Sequence, residues 1–222
     1  RPPAEFPNIY KDFSVDLWRF LIRAIIDSGG DTVPQGVPLW PDGKSYAVVL
    51  NHDVDTTWGL DHANGIAAFR AIEEAAGLRS AWMALTELRD LGRVTFQSLR
   101  DSGHEIGCHG VIHDHETAYL PVDEIRRRLA AAMPFLEEFA CTGFRAPSYH
   151  RSENLYAALD HLVAYDMSMH DSFANANSPV PSFEGCATCF PFPIAGTEIL
   201  QIPTTVAEDF VLELAGQSPA EA

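Results

Sequence analysis

Basic residues are scarce in this sequence: 15 Lys and Arg stand against 31 Asp and Glu, which gives a formal net charge of −16. A surface this acidic repels DNA, RNA and anionic membranes, so none of these is an expected partner. Long apolar runs are also lacking, because no stretch approaches the roughly 20 residues that a membrane-spanning helix needs. We therefore expect no membrane span.

The amino-terminal residues also lack a recognisable targeting signal. Residues 1–7 do not have the apolar core of a secretory signal. The sequence begins without methionine, however, so a signal removed upstream is an alternative. A cytoplasmic location is favoured, and secretion after removal of a signal is the alternative.

Cysteine is too rare for a disulfide-rich scaffold, since there are four in the whole chain. Cys108 and Cys141 stand in apolar or mixed segments and are expected to be buried thiols. Cys186 and Cys189 have the Cys-x-x-Cys spacing of redox and zinc sites, but the motif is single and precedes a proline-rich segment. A local disulfide or two free thiols is favoured over a functional role.

The chain has 222 residues, 46% of them hydrophobic, which suffices for one compact domain with a sizeable core, or at most two. We divide it into an N-terminal arm and helix, residues 1–44, and an α/β domain, residues 45–222, for which truncation at the C-terminus is one expectation. The predicted helix runs from about Ser14, a suitable N-cap, to Asp27.

Strands and helices alternate along the α/β domain. Residues 46–50 are continuously apolar and β-branched, as in a buried strand, which places residues 51–55 just after its carboxyl end. Residues 171–193 are rich in Pro, Asn and Ser and are expected to form a binding loop or lid. The alternation predicts a largely parallel sheet or barrel, whose active sites collect at the carboxyl ends of strands. The other predicted strands are residues 81–85, 105–108, 143–145, 164–168 and 199–203, and the predicted helices are residues 58–76, 95–100, 122–139 and 152–161.

Polar residues cluster after three of these strands, and we expect the clusters to meet in space. Two imidazoles four residues apart, His109 and His113, can bind one divalent ion if their segment turns helically. A carboxylate from residues 51–55 would complete a triad that leaves coordination positions open. This donor set favours zinc, with cobalt, nickel, manganese and iron as alternatives. An ion of this kind activates water and polarises an amide carbonyl, so the pattern favours amide hydrolysis.

The two acids Asp53 and Asp55 would then have different tasks. One serves as the metal ligand, and the other is free to accept a proton from the attacking water. Arg145 would hold that base ionised and oriented through a bidentate contact, a geometry that lysine does not reproduce.

Three motifs follow one another over roughly residues 45–170. They are Val49-Leu50-Asn51-His52-Asp53-Val54-Asp55, then Gly103-His104-Glu105-Ile106-Gly107-Cys108-His109 continuing to His113, and Phe144-Arg145-Ala146-Pro147-Ser148-Tyr149. In order and spacing they resemble the first three motifs of the polysaccharide deacetylase superfamily, the NodB-homology fold, in its His-Asp-Val-Asp variant branch. The second motif is the most specific of the three. The resemblance implies a distorted (β/α) barrel, a zinc or other divalent ion, and removal of an acetyl or similar acyl group from an amide nitrogen, commonly of a sugar.

The resemblance also implies a role for each matching residue. The family's paired metal histidines fall on His109 and His113, and its third-motif arginine falls on Arg145. In the commoner first motif the two acids are adjacent, the first acting as base and the second as ligand. By that order Asp53 is the base and Asp55 the ligand, while the reverse assignment stays open.

Four further residues are assigned to the substrate pocket. Pro147 and Tyr149 belong to the third motif, and Asp166 belongs to a fourth motif whose side chains would line the pocket wall. His170 follows a predicted strand end and is interpreted as a substrate contact.

One group that the family pattern requires is missing. Family members usually carry a late Leu-x-x-His motif whose histidine donates a proton to the departing amine, and no histidine follows His170. Either the sequence is truncated after Ala222, or another group such as His170 is the acid, or the protein is not a competent hydrolase.

The main hypothesis is therefore a metal-dependent deacetylase acting on an N-acetylated sugar or polysaccharide. One alternative is a non-catalytic relative that binds a carbohydrate or a partner, and another is a hydrolase of a non-sugar amide. The expected partner is an N-acylated sugar or small-amide substrate, and the sequence specifies no oligomeric state.

The remaining polar residues of these motifs have simpler interpretations. His104 is expected to be a hydrogen-bonded core residue and His115 a solvated loop residue. His52 is interpreted either as a support for the metal centre or as a packed neighbour. Residues 126–128, three consecutive arginines beside acidic residues, are interpreted as a solvated helix face.

Overall fold

The computed structural model describes residues 41–44, 46–61, 63–171, 173–175, 182–186 and 188–206. The predicted N-terminal arm and the helix at residues 14–27 lie outside the described residues, as do residues 207–222. Among the helices that are described, none combines the length and the apolar character needed to cross a membrane.

A seven-stranded sheet forms the centre of the fold. The described strands are β1 (Leu50–Val54), β2 (Ser80–Ala84), β3 (Glu105–Cys108), β4 (Gly143–Phe144), β5 (Tyr165–Asp166), β6 (Phe173–Asn175), β7 (Ser182–Glu184), β8 (Phe192–Pro193) and β9 (Leu200–Gln201). The order in the sheet is β1-β2-β3-β4-β5-β9-β8. All neighbours from β1 to β9 in that order are parallel, and β8 is antiparallel to β9. Within the described residues β1 and β8 are the two edges, so the sheet is open.

The predicted α/β class with a parallel sheet is confirmed, and five of the predicted strands lie within two residues of their predicted bounds. The prediction of one continuous loop over residues 171–193 is wrong in part. That segment contains the antiparallel pair β6 and β7 and the edge strand β8.

The helices connect successive strands of the sheet. The helix predicted over residues 58–76 is two helices, because Gly65 has a non-helical backbone, with φ of −85° and ψ of −146°, just before the second one. The helix predicted over residues 122–139 is broken by a 3₁₀ turn at Ala130–Ala132, after which Pro134 is accommodated in the first turn of a new helix. The helices are α1 (Thr57–Asp61), α2 (Ile66–Ala75), α3 (Arg89–Asp101), α4 (Val122–Leu129), α5 (Met133–Phe139) and α6 (Glu153–Leu159).

The first strand is displaced from its predicted position. Tyr46, Val48 and Val49 are exposed, and the strand instead runs over Leu50–Val54, paired with Ser80–Ala84. The prediction that residues 51–55 follow the strand is therefore wrong, since only residue 55 does. Acidic and imidazole side chains thus lie within the strand itself, on alternating faces.

The main hydrophobic core lies between the sheet and the helices. Three aromatic rings, Phe96, Phe135 and Phe139, are almost completely buried and pack with centroid distances of 4.9 to 5.6 Å. A smaller cluster of Ala81, Met83 and Met167 packs separately. The predicted metal ligands lie outside these two clusters, beyond the carboxyl ends of the strands.

Candidate metal centre

The carboxyl ends of β1, β3 and β4 carry the three polar clusters and bring them together. Asp53 lies in β1 and Asp55 follows it, His109 follows β3, and Arg145 follows β4. The parallel ladder continues into the site, because the His109 backbone N–H donates to the carbonyl of Ala84, at the end of β2, over 2.8 Å. The positions of these groups are therefore fixed by sheet pairing.

Asp55, His109 and His113 form a compact donor set. One ligand atom from each residue lies within 4.8 Å of the other two. The His109 Nε2 atom is 3.3 Å from Asp55 Oδ1, and the His113 Nε2 atom is 3.8 Å from Asp55 Oδ2. Two imidazole nitrogens and one carboxylate oxygen are ligands that zinc and its first-row neighbours accept, so these residues fit a divalent ion.

His109 is held in the form that a metal ion requires. Its Nδ1 atom lies 2.9 Å from the Arg145 carbonyl oxygen, which can only accept, so Nδ1 carries the proton and Nε2 presents a lone pair toward Asp55. The residue is 1% exposed, and burial lowers the pKa of His109 to about 4. The imidazole is therefore neutral near pH 7.

The segment that joins the two histidines is a loop, so the helical turn that would place both imidazoles on one face is absent. Gly110 has φ of 90°, a left-handed conformation that favours glycine. The loop is fixed against the preceding strand connection, because the Thr86 and Glu87 backbone N–H groups donate to the carbonyls of Gly110 and Val111 over 3.0 and 3.1 Å. This path brings the two imidazole centroids to 5.6 Å.

Asp53 is the second carboxylate of the site. Its Oδ1 accepts from Arg145 Nη1 at 3.2 Å, and its Oδ2 is 3.9 Å from His109 Nε2. Burial raises the pKa of Asp53 above its ordinary value, and the charge and hydrogen bond of Arg145 oppose that rise. Because Asp55 approaches both imidazoles, the geometry favours Asp55 over Asp53 as the third ligand.

Arg145 is buried, and its two Nη atoms donate to different residues. One Nη donates to Asp53, the other donates to Thr204 Oγ1 at 3.3 Å, and the guanidinium carbon lies 5.2 Å from the Tyr149 ring centroid. The expected bidentate contact with Asp53 is therefore wrong. Sequence reasoning missed Thr204, which lies 59 residues further along the chain and belongs to no motif.

Three of the predicted pocket residues lie beside this arginine. Pro147 and Tyr149 form a 3₁₀ turn directly after it, and the Tyr149 ring lies 4.3 Å from the His170 ring. Ser148 and Tyr149 have φ of 50° and 57°, a left-handed conformation that costs energy for residues with a side chain. Such strain is found where a binding site dictates the backbone path.

Asp166 does not belong to the pocket wall as predicted. It is fully buried, and its carboxylate accepts from the Ser168 backbone N–H and hydroxyl at 2.8 and 2.6 Å and from the Tyr156 hydroxyl at 3.2 Å. Burial raises the pKa of Asp166 to about 6, against these hydrogen bonds. Ser168 Oγ accepts in turn from the Ala146 backbone N–H at 2.8 Å, so Asp166 and Ser168 connect β5 to the segment that follows β4.

The other motif histidines lie outside the donor set. The His52 ring stacks on Trp82 at 4.2 Å and its Nε2 is 2.6 Å from Glu73 Oε1, which makes it a packed residue between β1 and α2. His104 is buried, as expected, with Ser80 at its Nδ1. His115 is exposed, as expected, and also meets Ser148 Oγ at 2.9 Å. All four cysteines are free thiols.

The sequence matches no protein-family model and no curated protein. Among solved structures, a protein assigned as a polysaccharide deacetylase from Mycobacterium smegmatis matches with a TM-score of 0.54 and 21% identity, over 75% of this chain and 61% of that chain. Puue allantoinase matches with a TM-score of 0.48 and 16% identity, over 67% of this chain and 45% of that chain. A family 4 acetyl xylan esterase from Clostridium thermocellum, in complex with a cobalt ion, matches with a TM-score of 0.43 and 22% identity, over 50% of this chain and 54% of that chain.

The first of these matches establishes the fold. This chain has the fold of the Mycobacterium smegmatis protein and spans about three-fifths of its length. That likeness supports the α/β fold with a parallel sheet, while the sheet of the described residues is open and does not close into the expected barrel.

Proposed function

We propose that this protein is a metal-dependent deacetylase that removes an acetyl or similar acyl group from the amide nitrogen of an N-acetylated sugar or polysaccharide. The observation that carries the proposal is the donor set of Asp55, His109 and His113 beside a second, arginine-paired carboxylate at the ends of parallel strands. The Mycobacterium smegmatis protein of the same fold is assigned as a polysaccharide deacetylase, which supports a carbohydrate substrate.

Asp55, His109 and His113 would hold the ion in this mechanism. A divalent ion supplies Lewis-acid polarisation of the amide carbonyl and of the attacking water. Asp53 would accept the proton that the water loses as it attacks the carbonyl carbon, since its carboxylate lies beside the donor set. It would return that proton to the nitrogen as the carbon–nitrogen bond breaks to give acetate and the free amine. Arg145 keeps that carboxylate ionised and fixes its direction through the 3.2 Å hydrogen bond.

Tyr149 and His170 would form the wall against which the substrate lies. Their rings are in contact on the Arg145 side of the site. Burial and the charges of Arg151 and Arg145 lower the pKa of His170 to about 4, so the ring is neutral near pH 7. A neutral imidazole favours a role in contacting the substrate over donation of a proton to the leaving amine.

Removal and return of the metal ion tests the proposed activity. Protein treated with a chelator should release no acetate from oligomers of N-acetylglucosamine, and added Zn²⁺ or Co²⁺ should restore the release. Absence of bound metal after both ions are supplied would refute the metal centre. Metal binding without turnover of any N-acetylated sugar or small amide would favour the non-catalytic alternative.

The wall is tested separately by His170→Ala. Loss of one ring contact and one polar contact should raise KM about 5- to 30-fold, equivalent to one or two kcal/mol, with kcat little changed. A matched control is His161→Ala, since His161 is exposed and lies between α6 and the amino end of β5, whereas the candidate site is at the carboxyl ends of the strands. A fall in kcat with an unchanged KM would instead identify His170 as the proton donor.

A further inference from the structure

The loop between His109 and His113 raises the question of what holds the second histidine in place. In a helix, backbone hydrogen bonds would keep two such residues on one face. Here the segment has no helical turn, and the His113 side chain is 33% exposed. His109 is fixed by burial and by its bond to a carbonyl. His113 is positioned through its backbone, by the bonds to Gly110 and Val111 before it and by the loop after it.

Asp114, the next residue, accepts several hydrogen bonds that hold this loop. Its Oδ1 accepts from the backbone N–H groups of Glu116 and Thr117 at 2.9 and 2.7 Å. Its Oδ2 accepts from the Thr117 hydroxyl at 2.7 Å and from Arg128 Nη1 at 3.2 Å. Four hydrogen bonds therefore converge on one carboxylate directly beside a candidate ligand.

Arg128, a residue of helix α4, connects Asp114 to that helix. Its Nη1 donates to Asp114 and also to the Thr117 hydroxyl, over 2.9 Å. Arg128 is partly buried, while Arg126 and Arg127 are exposed. The prediction that all three arginines form a solvated helix face is therefore wrong for Arg128, which ties a loop at the end of the sheet to a packed helix.

We propose that Asp114, held by Arg128, is a positioning residue that fixes His113 opposite Asp55 for metal binding. The inference rests on the proposed metal centre. The His113 ring must be held near the carboxylate, and a loop that is ordered beforehand avoids the entropic cost of ordering it when the ion binds. Groups that orient metal ligands typically contribute 10- to 100-fold to metal affinity.

The test is titration of chelator-treated protein with Co²⁺, followed by its visible absorption, which reports coordination geometry. Asp114→Ala should weaken Co²⁺ binding about 10- to 100-fold. Asp114→Asn should recover part of the affinity, because its amide oxygen still accepts from the two backbone N–H groups. Asp123→Ala is the matched control: it removes an acidic charge from an almost fully exposed side chain and should leave binding unchanged.

Arg128→Gln disrupts the same connection from the helix side. It keeps the positioning role testable if Asp114→Ala does not fold. It should weaken Co²⁺ binding several-fold in protein whose circular dichroism spectrum is unchanged. Equal affinities in the wild-type protein, folded Asp114→Ala and Arg128→Gln would overturn the positioning role while leaving the metal centre intact. If the wild-type protein itself binds no Co²⁺, the proposed metal centre fails, and the positioning role fails with it.

Discussion

His109→Ala should reduce the affinity for Zn²⁺ or Co²⁺ more than about 100-fold, because loss of a ligand exceeds the effect of residues that only orient one. His109 is the most deeply buried member of the donor set, and its Nε2 lies 3.3 Å from the Asp55 carboxylate. Isothermal titration with metal ions, together with metal content after purification without chelator, measures the effect. Acetate release should fall to the level of chelator-treated protein.

The same substitution should also destabilise the fold. The imidazole Nδ1–H donates to the Arg145 carbonyl, and its removal leaves a buried acceptor unsatisfied at a cost of about 1–3 kcal/mol. His113→Ala separates the two effects, since this side chain is one-third exposed. It should lose metal to a similar degree while urea unfolding changes little. Full metal occupancy in His109→Ala at unchanged affinity would contradict the assignment.

The position of β1 shows where hydrophobicity alone misleads. Val48 and Val49 belong to an apolar run yet are exposed, whereas the strand includes His52 and Asp53. His52 is accommodated because its ring stacks on Trp82 and its nitrogen meets Glu73, a residue 21 positions away. Such tertiary compensation leaves no signal in the local sequence pattern.

The convergence of the site could be predicted because it depends on sheet topology. Parallel strands place their carboxyl ends at one edge, so motifs after neighbouring strands must meet. The loop conformation at Gly110 could not be predicted, since His-x-x-x-His spacing also suits a helix. A helix and the observed loop would bring the same two histidines together through different backbone paths.

Arg145 and Asp166 show the limits of assigning roles from motifs. The pattern predicts an arginine near a carboxylate but does not reveal that Thr204 accepts a hydrogen bond from the second Nη of Arg145. Asp166 lies in a motif at a strand end, yet its carboxylate is occupied by Ser168 and Tyr156. The burial of a polar residue depends on partners that are distant in sequence, and only the folded chain shows them.

Asp53→Asn should lower kcat about 100- to 10,000-fold while metal binding is retained, because the substitution removes a general base and keeps the shape of the side chain. The amide oxygen can still accept from Arg145 Nη1, so the arginine keeps its direction. The ligand atoms of Asp55, His109 and His113 are untouched. Steady-state kinetics with an N-acetylated sugar and Co²⁺ titration of the same protein measure both properties.

Asp55→Asn is the matched comparison and should give the opposite pattern. It replaces the carboxylate that approaches both imidazoles, at 3.3 and 3.8 Å, so metal affinity should fall and activity should fall with it at limiting metal. Loss of Co²⁺ in Asp53→Asn and its retention in Asp55→Asn would reverse the two assignments. The pair of substitutions therefore decides the one question that the Asp-x-Asp spacing leaves open: which acid accepts the proton and which holds the ion.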